Sequence, residues 1–420
     1  MIALAGHELR EGDIAAAGTY SKLLKVGPET RNAVIIKKGH HSIKEIVAVV
    51  HCDATDVEGA IFAVKLTGLK YGEYETLIGG HTDGTAVGNG ADAKIMRPMV
   101  IKTNLAVDPG AQVWIHATAI GTKTAASCNV ELVTDTSQGE KRYGMIRCVQ
   151  IAGPGTKTAM INDAESATAY DIKIPVDATH ISSVIPVMGG ITLATASGGI
   201  GVVFLEGGLP DGDCSFTAGG HCGLATTAGL VAGYYEVDQI RTNIAVSPGS
   251  SMQPQGDLKG TDWGTVEIGV ALEFACGGMK GPKMTYRERD LLVGGVDTWV
   301  LLTAECSFTT PGPLTVPTGF NRIRQILHAE GDSTPTAASR NHGTILKLTG
   351  VDDGEALLCL TGLTGTGVTG GDAGTQMGTQ KRDVDIPVSA GKILSPYIDM
   401  SSGVDTSAPY ASVTLGFATG

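Results

Sequence analysis

Apolar and polar residues alternate along short runs in this chain, and the runs are broken by Gly, Pro, Asn and Asp. Val266, Ile268, Val270, Leu272 and Phe274 occupy every second position, which in a strand places all of them on one face. Val413, Leu415 and Phe417 repeat the pattern near the end of the sequence. Near the start, eight strand-like runs are separated by turn residues: 19–26, 31–37, 43–51, 60–67, 73–78, 97–105, 111–119 and 127–134. No segment sustains an apolar period of 3.6, so the pattern predicts an all-β protein.

The pattern is written three times. VIIKKGHHSIKEI at 34–46 matches IKIPVDATHISSV at 172–184 and LTVPTGFNRIRQI at 314–326, which puts Ile43, Ile181 and Ile323 in register. AVKLTG (63–68), VVFLEG (202–207) and ILKLTG (345–350) correspond, as do GEYETLIGGH (72–81), GDCSFTAGGH (212–221) and GEALLCLTGL (354–363). A period near 140 residues is too long for a solenoid, so each copy should be a domain with its own core. The expected domains are 1–142, 143–280 and 281–420, joined by TSQGEKR at 136–142 and CGGMKGPK at 276–283.

A short phrase recurs with the rest: NLAVDPG at 104–110, NIAVSPG at 243–249 and the looser DIPVSAG at 385–391. Leu105 and Val107, like Ile244 and Val246, should point inward from a strand, and Pro-Gly then presets a turn. About eight short strands per copy predict three tandem β-sandwich domains with a jelly-roll topology. An immunoglobulin-like sandwich is the second choice, because the Cys, Trp, Cys pattern is missing.

Composition narrows the classes of partner. The net charge of -12 disfavours clustered phosphate contacts, so no direct nucleic-acid binding is expected. No stretch of 18 apolar residues offers a membrane span, and no export signal is expected. Cys52, Cys128, Cys148, Cys214, Cys222, Cys276, Cys306 and Cys359 do not recur at matching places in the copies, which favours free thiols and intracellular synthesis. The balances of the three copies are -1, -7 and -4. The first, with Lys37, Lys38 and Lys44, is therefore the candidate for docking on an acidic surface, and the second should face solvent or a cationic neighbour.

Candidate chemistry is sparse. His40, His41, His51, Cys52, Asp53, Asp56 and Glu58 form the densest set of ligand types, yet none of the usual zinc spacings occurs. His81 and His221 share a register that Leu363 breaks in the third copy. The acidic turns DGD (211–213) and VDDGE (351–355) lack the order of a calcium loop, though calcium is the most plausible ion if one binds. IAGPGTKT (151–158) misses the phosphate-loop pattern. Trp114, Trp263 and Trp299 should sit in strands. No catalytic residue, metal ligand or cofactor is assigned, and the chain is read as a non-enzyme.

Rigid β domains in tandem, few charges and free thiols resemble the β-sandwich virion proteins of phages and other viruses, among them capsid, capsid-decoration and tail-appendage proteins. The resemblance implies a jelly roll or related sandwich in each copy, many copies of the chain on one particle, and function through contacts between subunits. Self-association into a homo-oligomer, contact with other virion proteins and a virion location, after assembly in the host cytoplasm, are the partner and localisation expectations. No family site residue transfers. The missing basic arm favours an outer-shell, decoration or appendage role over a genome-lining one. A cell-surface lattice protein and a carbohydrate-binding sandwich are the alternatives.

Overall fold

The computed structural model describes residues 5–14, 18–25, 32–52, 60–81, 98–121, 126–151, 153, 155, 157–161, 171–189, 193–222, 234–235, 238–263, 266–278, 281–292, 300–301, 314–331, 342–363, 376–377, 379–401 and 410–420. Their regular elements are all strands. In the first third these are β1 (Gly6–Ile14), the short β2 (Ser21–Lys22), β3 (Leu24–Lys25) and β4 (Val34–Ile35), then β5 (Ser42–Cys52), β6 (Ala60–Leu69), β7 (Gly72–His81), β8 (Met99–Ala106), β9 (Gln112–Gly121) and β10 (Ala126–Asp135). They form two layers with the neighbour orders β1-β10-β5-β8 and β2-β9-β6-β7, every pair antiparallel. First strand beside last, and third between last and sixth, is the paired Greek key of a jelly roll.

The second third repeats the order: β11 (Arg142–Ile151), β12 (Thr158–Ala159), β13 (Ile172–Lys173), β14 (Ala178–Gly189), β15 (Leu193–Glu206), β16 (Cys214–Cys222), β17 (Tyr234–Tyr235), β18 (Ile240–Ala245), β19 (Ser251–Trp263) and β20 (Val266–Cys276). Here β11-β20-β14-β18 and β12-β19-β15-β16 are the layers. The last third has β21 (Met284–Leu292), β22 (Val300–Leu301), β23 (Leu314–Thr315), β24 (Arg322–Gly331), β25 (His342–Val351), β26 (Gly354–Leu363), β27 (Gln376–Met377), β28 (Gln380–Pro387), β29 (Ile393–Ser401) and β30 (Tyr410–Ala418), layered as β21-β30-β24-β28 and β22-β29-β25-β26. All three thirds are jelly rolls with one topology.

The repeated words hold equivalent places. Ile43 pairs with Thr134, Ile181 with Phe274 and Ile323 with Phe417, each beside a bulge. In the recurring phrase Leu105, Val107, Ile244 and Val246 are all buried. Its glycines then turn: Gly110, Gly249 and Gly391 have φ of 83°, 75° and 79°, where a side chain would be strained. Each donates its N–H to the carbonyl of Ile36, Ile174 or Val316, the residue just after the short strand β4, β13 or β23 that pairs with the strand beyond the turn. The phrase is a corner that ties two strands of every copy.

The expected runs 19–26 and 31–37 hold only two-residue strands among their described residues, β2 and β3 in the first and β4 in the second. One long strand was not expected: β1, whose alternation was hidden by its polar content. Its inward positions are Gly6, Arg10, Gly12 and Ile14, and Arg10 is 3% exposed. Arg10 is accommodated because its guanidinium donates to the carbonyls of Leu9, Asn32 and Ala33, as a buried cation requires.

Burial distinguishes the three units. Along β10 buried residues alternate with partly or fully exposed ones, but in β20 every residue from Val266 to Ala275 is buried, as is Ala411–Ala418 in β30. A strand buried on both faces has a second layer over it. That layer is the preceding jelly roll: Ile146, Cys148, Ile185, Val187 and Ala271 of the second unit belong to the first unit's core cluster. Met284, Tyr286, Leu327 and Ala418 of the third unit belong to the second's.

Candidate assembly interfaces

At the first seam the outer face of β6 and β7 lies on β11, β14 and β20. Gly144 of β11 bridges Tyr74 of β7 in parallel, so one sheet of ten strands runs through both units. A side chain at position 144 would meet the Tyr74 ring and the Glu75 carbonyl, so glycine permits the approach. Opposite Leu77, position 269 is also glycine: a Cβ there would stand 3.1 Å from Leu77 Cδ1. The seam is held by Glu273, 3% exposed. Its carboxylate accepts from Tyr74 Oη (2.9 Å), Thr103 Oγ1 (2.6 Å), Ser182 Oγ (2.6 Å) and Arg142, and Arg142 also pairs with Glu140 at 2.8 Å. Burial and the Glu273 charge hold the Tyr74 phenol well above its usual pKa, so it stays a donor. Beside this network is a cleft of about 350 Å³ lined by Arg142, His180, Arg241, Asn243 and Met284 among others. Burial, aided by Arg142, lowers the His180 pKa.

At the second seam β15 and β16 lie on β21, β24 and β30. Phe216 and Tyr286 are fully buried with ring centroids 4.7 Å apart, a contact worth about 1 kcal/mol beyond its area. Thr217 Oγ1 lies 2.9 Å from Ser412 Oγ and 3.0 Å from Thr414 Oγ1. Gly220 sits against the Glu330 backbone, where a Cβ would collide with the carbonyl. Asp211 and Lys283 pair at 2.6 Å, and Arg287 donates to the carbonyls of Asp211 and Asp213.

Both seams share one plan. Leu77 and Thr217 hold equivalent places, paired with Ala63 and Val202 just after the bulge. Gly269 and Ser412, which they oppose, are equivalent too, paired with Val187 and Ala329. Each seam also adds a two-residue strand from the following unit: β17 pairs with Gly80 and His81, and β27 with Gly220 and His221. The sequence signal was the Gly-Gly-His shared by the first two copies and lost in the third; it marks docking strands. The side chains of His81 and His221 lie outside the described residues.

The other candidates resolve into structure. His40 is buried with Nδ1 2.8 Å from Thr134 Oγ1, and the backbone of His41 bonds to Asp135, Val107 and Gly139. His51 and Cys52 end β5, their side chains outside the described residues, as are Asp53, Asp56, Glu58 and Trp299 entirely. Among the described residues no cluster of three or more His, Cys, Asp or Glu could hold a metal, and no helix is long and apolar enough to cross a membrane. The turn 211–213 latches the third unit to the second through Lys283 and Arg287. In 351–355, hydrogen bonds from Lys392 and Ser389 hold the Asp352 carboxyl below its usual pKa. Lys157 of the glycine-rich turn pairs with Glu206 at 2.8 Å. Trp114 lies in β9 under Lys22, and Trp263 ends β19. Lys44 bonds Asn104 Oδ1 at 2.5 Å, while Lys37 and Lys38 are exposed in a turn.

One buried acid is poorly matched. Asp257 is fully buried; Oδ1 accepts from Leu258 N at 2.8 Å and Gly155 N at 3.3 Å, and Oδ2 has no partner. Burial pushes its pKa up to about 6, above the unfolded value of about 4. The native state therefore binds the proton more tightly, and stability falls as pH rises from about 4 to about 6. Asp257→Asn should raise stability by about 2 kcal/mol at pH 7.5 and change little at pH 4, as urea unfolding at the two pH values will read.

No family model matches the chain, and no curated protein matches it. Solved structures to which it is similar include the STIV MCP crystal structure, at 9% identity and a TM-score of 0.31, covering 66% of this chain and 97% of that one. The major capsid protein P2 from Bacteriophage PM2 is similar at 10% identity and a TM-score of 0.24, over 65% of this chain and 98% of that one. A structure titled for the triple jelly roll fold and turret assembly in an archaeal virus covers 96% of this chain and 90% of its own, at 9% identity and a TM-score of 0.20. At such scores the likeness carries no weight for the fold, which stands on this chain's own strand pairing.

Proposed function

We propose that this protein is a virion structural component, in a capsid shell, a capsid decoration or an appendage, which works through contacts between subunits and performs no catalysis. The observation that carries this is the plan common to both seams: three copies of one jelly roll are docked face to face through Gly269 and Ser412, the same position in two units. The most elaborate polar groupings, around Glu273 and around Thr217, hold units together. The similar structures include a major capsid protein and a turret assembly, a role this reading shares without resting on it. Boundaries at 142/143 and 280/281 belong to the same proposal, supported by the start of β11 at Arg142 and of β21 at Met284.

Electron microscopy of the purified full chain at rising concentration tests the reading. Closed shells, rings or regular fibres are expected. A chain that stays dispersed and monomeric, alone and with its co-expressed partners, would overturn it.

A further inference from the structure

We propose that the outer face of β25 and β26 in the third jelly roll binds the outer face of β1, β5 and β10 in the first jelly roll of a second copy of this chain. The inference rests on the structural role proposed above and names the partner and the register.

Within the chain, β6/β7 cover the outer face of β11/β14/β20, and β15/β16 cover that of β21/β24/β30. Two faces of these kinds are left over, β25/β26 at one end of the series and β1/β5/β10 at the other. The first has residues suited to being covered. Glu75 and Leu77 are 9% and 0% exposed, Ser215 and Thr217 8% and 0%. Their equivalents Leu357 and Cys359 are exposed, Leu357 at 58%. β26 also ends its sheet, whereas β7 and β16 each gain a strand from the next unit. Arg382 caps one carbonyl near that edge, at Cys359.

The second face complements it. Leu9 of β1 is 44% exposed, and Val100 of β8, at the far edge of the same sheet, is 45% exposed. Glu11, Asp13 and Glu131 point outward, with Glu131 paired to His7 and Lys102 of β8 the basic exception. Opposite would stand Leu357, Lys347 and Arg382, with Glu355 the acidic exception. The pairing is apolar against apolar and acidic against basic. A seam of this kind joins unlike faces, so it propagates from copy to copy into a ring or a fibre.

Equivalence fixes the register. Leu77 opposes Gly269 and Thr217 opposes Ser412. Gly269, Ser412 and Asn129 hold one place, paired with Val187, Ala329 and Val49, and Cys359 takes the place of Leu77 and Thr217 through its pairing with Ile345. Cys359 of one copy therefore faces Asn129 of the next. Asn129 and Glu131 are bulkier than Gly269 and Ala271 or Ser412 and Thr414, so this seam is looser than the internal ones and suits a contact that forms reversibly during assembly.

The test uses the full-length Asn129→Cys variant with diamide as oxidant. Non-reducing gels should show a ladder of linked chains that collapses with reductant and disappears when Cys359→Ser is added. Leu357→Glu should shift sedimentation toward single chains while leaving the circular dichroism spectrum unchanged. If particles form but neither the ladder nor the Leu357→Glu shift is seen, this pairing is wrong and the structural role stands. If no assembly forms under any condition, both fall.

Discussion

Replacing Glu273 by alanine should destabilise the chain by about 3–5 kcal/mol, seen as an early first transition in calorimetry. The loss exceeds that of an ordinary buried hydrogen bond because Arg142, whose side chain is 11% exposed, would keep Glu140 as its carboxylate partner but lose the one buried between the two jelly rolls. Tyr74 and Thr103 would lose their acceptor at the same time. Glu273→Gln keeps one oxygen to accept from Tyr74 and Thr103 but removes the charge and turns an amide N–H toward Arg142 and Ser182, so its cost should be smaller than that of alanine. Equal losses in the two variants would mean that the pairing with Arg142, rather than the bonds from Tyr74 and Thr103, holds the seam.

Gly220→Ala should be the most damaging single methyl group in the molecule. The added carbon cannot fit against the Glu330 backbone, and neither chain segment is a flexible side chain that could swing away. One of the two strands must shift, at a cost of about 3 kcal/mol or more. The damage should localise, with faster amide exchange along β16 and β24 and little change in β5 or β10. Alanine at Gly278, which has open space around it, is the matched control and should leave stability within about 0.5 kcal/mol of the parent.

The fold was more legible than the seams, for a physical reason. Inward positions must be apolar in every copy, so Ile43, Ile181 and Ile323 kept their register and revealed the repeat. Outward positions are set by what covers them. The last strands of the copies read Asn129, Glu131, Val133; Gly269, Ala271, Glu273; and Ser412, Thr414, Gly416 at those positions. Taken singly, the small and polar residues look like solvated strand faces; compared across copies, those at the first two of these positions are smaller where another unit lies on top. β1 escaped notice because it buries a cation in place of an aliphatic side chain, and Asp211 and Asp213 looked like turn residues because their cationic partners lie some 70 positions away.

The thiols bear on how long such a protein could last outside a cell. Cys128, Cys148 and Cys214 are free and buried, and burial alone pushes the Cys128 pKa up to about 12. Only the thiolate reacts with oxidants or attacks a disulfide, so at neutral pH the Cys128 sulfur is chemically silent. A move from reducing to aerated solution would leave it untouched, and oxidation would fall on a surface sulfur such as Cys359.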